Sequence, residues 1–555
     1  MFYKLHFFQH IWRQIRLVGS LPYFSLLVLI LPLLLFTSGH NSLIAHDEGL
    51  YASRARLMFD SGNWIAPWDK AHHKTPGPYW LIASFYKLFG ISDTTARLPS
   101  MIAGIFSLLL VYEIGKIMLG KKLAWLATVI LSLEFLWLQY CRLSTPDIPM
   151  VFLVLLAIWS LIKTELHPRY QYFWSFIAGL SLGLGFLIRS FMIFLPIIAL
   201  LPYLIWEHRR HRHLTNPILY LGFFVGLIPT CIWLWLSWLH YGNQSFEELL
   251  KFVVQQGSND HYDNGPFFYV WNILLKAFPW AFFGILGFLL TVHRPIPRYH
   301  LILVGFPLVL FIELSFFTTR LSHYSLCLYP FIALFASVGL NWLGNIYQTE
   351  MHSQLPLKKD RINLLNIFAK KNLPRSLSYS FGGLGVLLII ASIVVLSWDG
   401  SDIRKYATIG LAMGLGWLIL PVVWIGRYHF GQKFLTTRYW IAGWLIPCWL
   451  ALAAIGSIGL LSDYNPALRT FLQQPAIASI IQTNPVYFVE IDAKTKVLLN
   501  FYLSSRPQQV ASISQLPALS YALIYAGQSS TLSRPYRILG TGEKYLFIQI
   551  LSEET

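Results

Sequence analysis

Charge is scarce in this chain: Asp, Glu, Lys and Arg make up only 12% of its 555 residues, about half the share of a soluble globular domain. That shortage, beside 55% apolar and 16% aromatic residues, excludes a soluble globular protein and points to one that spans a membrane. Acidic residues are the scarcest class of charge, 25 against 42 Lys and Arg, for a net charge of +17. Cysteine is almost absent as well. The four (Cys141, Cys231, Cys327, Cys448) lie far apart, which excludes a disulfide framework and any cysteine metal motif.

What the chain has in quantity is long apolar runs. They begin near Leu21, Leu98, Leu123, Ile148, Tyr172, Phe191, Ile218, Val270, Leu301, Tyr324, Phe381, Ala407 and Ile441, each read as crossing about 30 Å of hydrocarbon, so about thirteen transmembrane helices are expected. The first run follows Lys4, Arg13 and Arg16 and resembles a signal peptide at its start. Its length and the lack of a cleavage site make it an uncleaved anchor. With the N-terminus cytoplasmic, alternate connections carry the basic residues: Lys116, Lys121 and Lys122; Lys163 and Arg169; residues 209–212; Arg294 and Arg298; residues 358–375; residues 427–438. This is the positive-inside pattern. It accounts for the net charge and excludes a nucleic-acid-binding face, which would gather these residues in one folded patch.

The same frame divides the chain. Residues 1–345 form a transmembrane module with a long first outer loop over residues 38–96, residues 346–377 a basic cytoplasmic loop, residues 378–461 three further spans, and residues 462–555 a small extracytoplasmic α/β domain. The first loop exceeds what two helices need, which marks it as functional. It should hold two short surface helices, one starting near Asp47 and one over residues 79–89. Glycines at four-residue spacing in the segments beginning at Gly179 and Gly410 permit close helix approach.

The candidate chemistry lies at the outer helix ends. His46-Asp47-Glu48 places two carboxylates where the first span ends, against the plainer reading of a solvated pair. Thr145-Pro146-Asp147 places a third acid at a helix mouth, where it would otherwise act as an N-terminal cap. Residues 259–263, with His261, and residues 319–324, with Arg320, His323 and Tyr324, add bases and phenols, and Lys74 adds a cation. Headgroup anchoring is the plainer reading of Arg320 and His323. A carboxylate able to take a proton, close to cations able to hold an anionic leaving group, is what sugar transfer from a lipid-linked phosphate requires.

The loop sequence HDEGLYASRARLMFDSGNWIAPWDKAHHKTPGPYW, with Arg97-Leu98-Pro99-Ser100 and the Thr145-Pro146-Asp147-x-Pro149 turn, resembles the C-fold (GT-C) glycosyltransferases of the protein O-mannosyltransferase and aminoarabinose transferase family. The likeness extends over roughly the first 345 residues. It implies an integral membrane enzyme of the cell envelope, in the plasma (inner) membrane. The donor would be a sugar on a polyprenyl phosphate such as undecaprenyl phosphate, and the acceptor a lipid, glycan or protein. Asp47 would be the general base of an inverting attack, with Asp147 and Glu48 as the accompanying acids. Lys74, Arg320, Tyr324 and Arg189 would hold the departing phosphate. His73, His261 and His323 would bind acceptor or a divalent metal. Two departures leave sugar and acceptor open: His73 stands where aminoarabinose transferases tend to carry Glu, and residues 261–266 lack an expected arginine. A polysaccharide ligase or polymerase is one alternative, disfavoured by the early position of the long loop. A lipid-linked sugar transporter or flippase is the other, disfavoured because most ionisable groups lie at the outer helix ends and in the long loop instead of the midplane. Glu134 and Arg189 are the main exceptions, and Arg189 in this frame also lies near the outer surface.

Overall fold

The structure, a computed structural model, describes residues 21–38, 42–258, 264–296, 298–349, 372–398, 401–462, 466–489, 491–503, 508–510, 512–527, 534–542 and 544–552. It is a helical membrane bundle with a small mixed sheet at its C-terminal end.

Every apolar run of the sequence forms a helix, but the count of thirteen spans is not reproduced. Eight helices are long and apolar enough to cross a membrane, or ten if each of two bent pairs is one span. Three features account for the difference. Leu21–Leu35 and Leu301–Phe316 are apolar but short. The runs near Tyr172 and Phe191 join into a single stretch, Pro168–Trp206, interrupted by a 3-10 turn at Ser190–Ile193. The bent pairs are Lys121–Ser132 with Phe135–Cys141, at 71°, and Phe268–Lys276 with Trp280–His293, at 115°.

Close packing between spans depends on missing side chains. Helix α1, Gln171–Arg189, lies against α2, Pro217–Tyr241. A Cβ on Gly183 would stand 2.3 Å from the Phe223 carbonyl oxygen, and one on Gly226 would stand 2.5 Å from that of Leu180. Backbone therefore meets backbone across this pair, the arrangement that small residues four apart make available. The packing fixes the end of α1, where Arg189 lies.

The loops segregate by end of the bundle as the charge pattern requires. Lys74, Asp147, Arg189 and Tyr324, all assigned to one side, line one cavity. At the opposite end Arg210 pairs with Glu165 at 2.6 Å and donates to the carbonyl of Arg298.

The first loop opens with a π-helical turn at Ala45–Gly49, followed by helices Leu50–Ser61 and Gly77–Phe89, the two short helices expected. Their apolar faces, with Tyr51, Met58, Tyr79, Ile82 and Tyr86, do not close a core alone. They share one with Leu468, Phe471, Ile477, Phe488 and Leu498 of the C-terminal domain. That domain is the expected α/β unit. Strands β1 (Val486–Val489), β2 (Gln508–Val510), β3 (Tyr521–Tyr525), β4 (Tyr536–Thr541) and β5 (Tyr545–Ile550) form a sheet in the order β2-β1-β3-β5-β4. The β1–β2 and β1–β3 pairs are parallel and the remaining pairs antiparallel. Residues 496–502, mixed in pattern, belong to helix Ala493–Tyr502, which Asp492 caps by accepting from the amides of Lys494 and Thr495.

Replacing Gly183 by Ala forces α1 and α2 apart and is expected to cost about 1–3 kcal/mol, the usual size of overpacking. It should lower the thermal unfolding midpoint in detergent, whereas Gly383→Ala, where a Cβ meets nothing within 4 Å, should leave it unchanged.

Candidate active site

Four chain segments converge on one cavity of about 200 Å³. The first is the stretch before helix Gly77–Phe89, which carries Lys74. It lies against the last turn of α1 so closely that a Cβ on Gly77 would be 2.5 Å from the Leu187 carbonyl oxygen, so only glycine fits. Ser190 Oγ completes the junction, 3.3 Å from the Thr75 amide and 3.0 Å from its hydroxyl. The second segment is the end of α1, where Ser190 adopts φ 50° and the helix stops with Arg189 at the cavity. The third is the turn before helix Asp147–Leu166. Ser100 donates to the Thr145 carbonyl there at 3.0 Å, and Asp147 becomes the first helical residue. The fourth is the 3-10 segment Ser322–Leu328, which presents His323 and Tyr324.

The polar groups form a connected set. Arg189 Nη2 lies 2.8 Å from Asp147 Oδ1, so Asp147 is an ion-pair partner; the cap position belongs to Pro146, and no side chain caps the helix. Arg189 Nη1 and Lys74 Nζ both donate to the Tyr51 hydroxyl, at 3.3 Å and 3.1 Å, and Lys74 lies 4.9 Å from the centre of that ring. The Arg189 guanidinium also faces the Tyr324 ring at 5.8 Å. Tyr140 and His323 Nδ1 are 3.0 Å apart. Two cations and one lining carboxylate leave the cavity net positive, suited to an anion. Burial, with Arg189 and Arg54 nearby, holds the Lys74 ammonium below the usual lysine range. An arriving anion would relieve that penalty.

The predicted site residues divide. Lys74, Asp147, Arg189, His323 and Tyr324 come together. Glu48, expected as a reactive acid beside Asp47, is instead wholly enclosed. Its Oε1 accepts from Arg97 Nε at 2.6 Å and the Ser144 amide at 3.1 Å, and its Oε2 from Arg97 Nη2 at 2.9 Å and the Ile44 amide at 3.1 Å. Fully occupied in this way, it has nothing to offer a substrate. Arg320 is likewise committed to backbone: its guanidinium donates to the carbonyls of Asn264 at 2.5 Å and of Ser315 at 3.2 and 3.3 Å, clasping two segments together outside the cavity lining. His73 stacks on His72 with ring centres 4.7 Å apart. The side chain of Asp47 and the whole of His261 lie outside the described residues. The backbone of residue 47 belongs to the turn just ahead of Tyr51.

Sequence reading missed Tyr51, Tyr140 and Ser190 as site residues. Tyr51 and Tyr140 look like ordinary apolar-face aromatics, and only their hydroxyls' partners distinguish them. Ser190 carried a faint signal, as a small polar residue interrupting an apolar run directly after an arginine. No group of three or more His, Cys, Asp or Glu side chains among the described residues is arranged to hold a metal ion. His73 stacks on His72 and His323 pairs with Tyr140, so those two are engaged in different contacts.

Burial, with Lys74 and Arg54 nearby, lowers His73 to about 4 from its ordinary 6.5, and burial, with Arg54 nearby, holds His72 well below the same value. The folded loop therefore binds fewer protons than the unfolded chain between about pH 6.5 and pH 4. Its stability is complete above that window and is lost as the pH falls through it. The unfolding midpoint measured from pH 7 down to pH 5 should fall, and His73→Gln should flatten the dependence. Separately, Glu48→Ala strands the Arg97 charge and should destabilise the fold by about 3–5 kcal/mol, read as a large drop in folded yield and midpoint.

Residues 73–236 match the family described as dolichyl-phosphate-mannose-protein mannosyltransferase. Over 193 residues the chain is 32% identical to an undecaprenyl phosphate-alpha-4-amino-4-deoxy-L-arabinose arabinosyl transferase of Pseudomonas savastanoi pv. phaseolicola, covering 33% of this chain and 35% of that protein. Over 331 residues it is 24% identical to an uncharacterized protein of Aquifex aeolicus, covering 57% of this chain and 64% of the other. The chain thus spans between a third and two thirds of the length of these curated relatives. Among solved structures, ArnT from Cupriavidus metallidurans bound to undecaprenyl phosphate superimposes with a TM-score of 0.71 over 96% of this chain and 99% of that one, at 18% identity. The chain has the C-fold architecture of that ArnT structure over nearly its whole length, and over residues 73–236 its sequence is similar to the protein mannosyltransferase family.

Proposed function

We propose that the chain transfers a sugar from a polyprenyl-phosphate donor to an acceptor hydroxyl at the extracytoplasmic surface of the membrane, with inversion at the anomeric carbon. The observation that carries this reading is the convergence of Lys74 and Arg189 on one hydroxyl inside a net-positive cavity. The printed names of the relatives give the matching donor class, undecaprenyl phosphate.

In the reaction, Asp47 takes the proton of the acceptor hydroxyl as its oxygen bonds to the anomeric carbon. The bond from that carbon to the phosphate oxygen breaks, and its electron pair leaves with the polyprenyl phosphate. Lys74 and Arg189 hold the phosphate as charge develops on it, which is where fixed cations contribute most. Asp147 orients the Arg189 guanidinium from one side and the Tyr324 ring faces it from another. Arg320, clasping the 264 and 315–320 segments, acts as a brace for the segment that bears His323 and Tyr324.

An apolar groove of about 280 Å³ supports a lipid-linked donor. It is lined by Val270, Phe288, Phe311, Leu328, Phe331 and neighbouring apolar side chains. Segment Ser322–Leu328 serves both places, with Tyr324 at the polar cavity and Leu328 at the groove. A headgroup in one and a prenyl chain in the other would be bound by a single short element.

The test is transfer of radiolabel from polyprenyl-phosphate sugars by purified protein in the presence of membrane acceptors. Asp47→Asn should abolish transfer, a general base being worth about 10²–10⁴ in rate, and should leave the unfolding midpoint unchanged. Lys74→Gln should reduce transfer by a factor on the order of 10², the scale of losing one charge-stabilising group. An active Asp47→Asn enzyme would refute the base, and indifference to Lys74→Gln would refute the cavity as the donor site.

A further inference from the structure

We infer that Glu134 and Tyr329 form a buried site for water and one proton, on the membrane side of the polar cavity, where the two broken spans meet. The junction is directly visible. Trp280 Nε1, at the start of the second half of one bent span, donates to the Leu133 carbonyl in the break of the other at 3.2 Å. Lys276, at the end of the first half, lies 5.4 Å from the Phe135 ring centre. Glu134 occupies the break itself, between Ser132 and Phe135.

Glu134 is fully buried, and neither of its oxygens has a hydrogen-bond partner among the described residues. The Tyr329 hydroxyl, at the end of the 3-10 segment that packs against helix Phe135–Cys141, is likewise buried and without such a partner. Trp137 Nε1, three residues along in the first turn of the helix that Glu134 precedes, is a further unpartnered buried donor. An ionised carboxylate isolated in hydrocarbon is prohibitively unfavourable, so the group is held as the neutral acid. A neutral acid, a phenol and an indole N–H supply the two to four polar partners that an enclosed water needs. The described residues offer no cluster of three metal-ligating side chains here, so water and a proton are the chemistry that fits.

The site adjoins the cavity through two parallel routes. Along helix Phe135–Cys141, Glu134 lies six residues from Tyr140, about 9 Å at the helical rise. Along the 3-10 segment and the following turn, Tyr329 lies five residues from Tyr324, about 10 Å. Between them the Ser325 hydroxyl donates to the Ser322 carbonyl at 2.7 Å. The cavity therefore has a hydroxyl ladder leading down to a group that can hold a proton. This inference does not depend on the transfer reaction.

Infrared spectroscopy of the full chain in lipid nanodiscs tests it. The wild type should show, at neutral pH, a protonated-carboxyl stretch that shifts in heavy water and disappears in Glu134→Gln, while a contribution from Glu313, the other carboxyl with buried oxygens lacking a partner among the described residues, persists. Tyr329→Phe, a mild change, should displace the Glu134 band without removing it. No difference between wild type and Glu134→Gln would mean an ionised Glu134 and overturn the proton. A band unmoved by Tyr329→Phe would overturn the shared water. Unfolding midpoints give an independent reading. Glu134→Leu should lower the midpoint, and adding Tyr329→Phe should recover part of the loss; strictly additive shifts would overturn the pairing.

Discussion

The buried pair between Glu48 and Arg97 holds the site's framework in place. Arg97 rises from the first turns of helix Asp93–Met118, and its guanidinium donates to Glu48 and to the carbonyls of Ser38 and Ser42. Glu48 in turn accepts from the amides of Ile44 and Ser144. One ion pair thereby joins the end of the first apolar helix, the turn that carries residue 47, a long span and the turn that leads to Asp147. Removing two charges from water is expensive, and the expense is tolerated because nearly every donor and acceptor of the pair is occupied. The geometry of the cavity is then a consequence: Tyr51 follows Glu48 by less than one turn, and Asp147 follows Ser144 by three residues.

A second constraint comes from the far end of the chain. Tyr502 donates to Asp93 at 2.6 Å and accepts from the Leu43 amide at 3.2 Å, and Arg469 reaches Asp93 at 3.3 Å. Arg56 donates to the Phe501 carbonyl. With the shared apolar core, these contacts make the C-terminal domain the roof of the first loop, not a pendant module. The short loop helices bury too little apolar surface to be stable alone, and the domain supplies the missing half. A fold that carries its reactive groups on a loop needs such a support if the groups are to stay within tenths of an ångström of one geometry.

Much of this architecture was legible in sequence because its physics is one-dimensional. Apolar runs specify helices, basic segments specify ends of the bundle, and a connection of nearly sixty residues, 38–96, specifies a functional loop; those rules place Lys74, Asp147, Arg189 and Tyr324 at one end. What sequence could not supply was pairing. Asp47 and Glu48 are adjacent and chemically alike, yet Glu48 is consumed by an arginine 49 positions away. Arg320 suits a phosphate or headgroup in sequence because nothing local reveals that carbonyls of Ser315 and Asn264 surround it. Tyr51 and Tyr140 were passed over for the converse reason, their value lying in partners distant in sequence. The count of thirteen spans is not reproduced because hydropathy does not register that two apolar helices are short, that two runs join, or that two spans bend by 71° and 115°.

Those breaks also bear on the choice between an enzyme and a transporter. A carrier moves its cargo through the bilayer, and its ionisable groups gather on broken helices at mid-depth. Here the broken helices meet, but among the described residues their junction holds a single carboxyl, Glu134, with the Trp137 and Trp280 indoles and one cation, Lys276, against the Phe135 ring. The cations and Asp147 stand at helix ends, bound to each other around Tyr51. A bound charge at the surface cavity would be met by Lys74 and Arg189, whereas one carried inward would leave both behind and meet a neutral acid in hydrocarbon. Two fixed cations facing one cavity favour an anionic headgroup held there over one carried past a single carboxyl and a single cation.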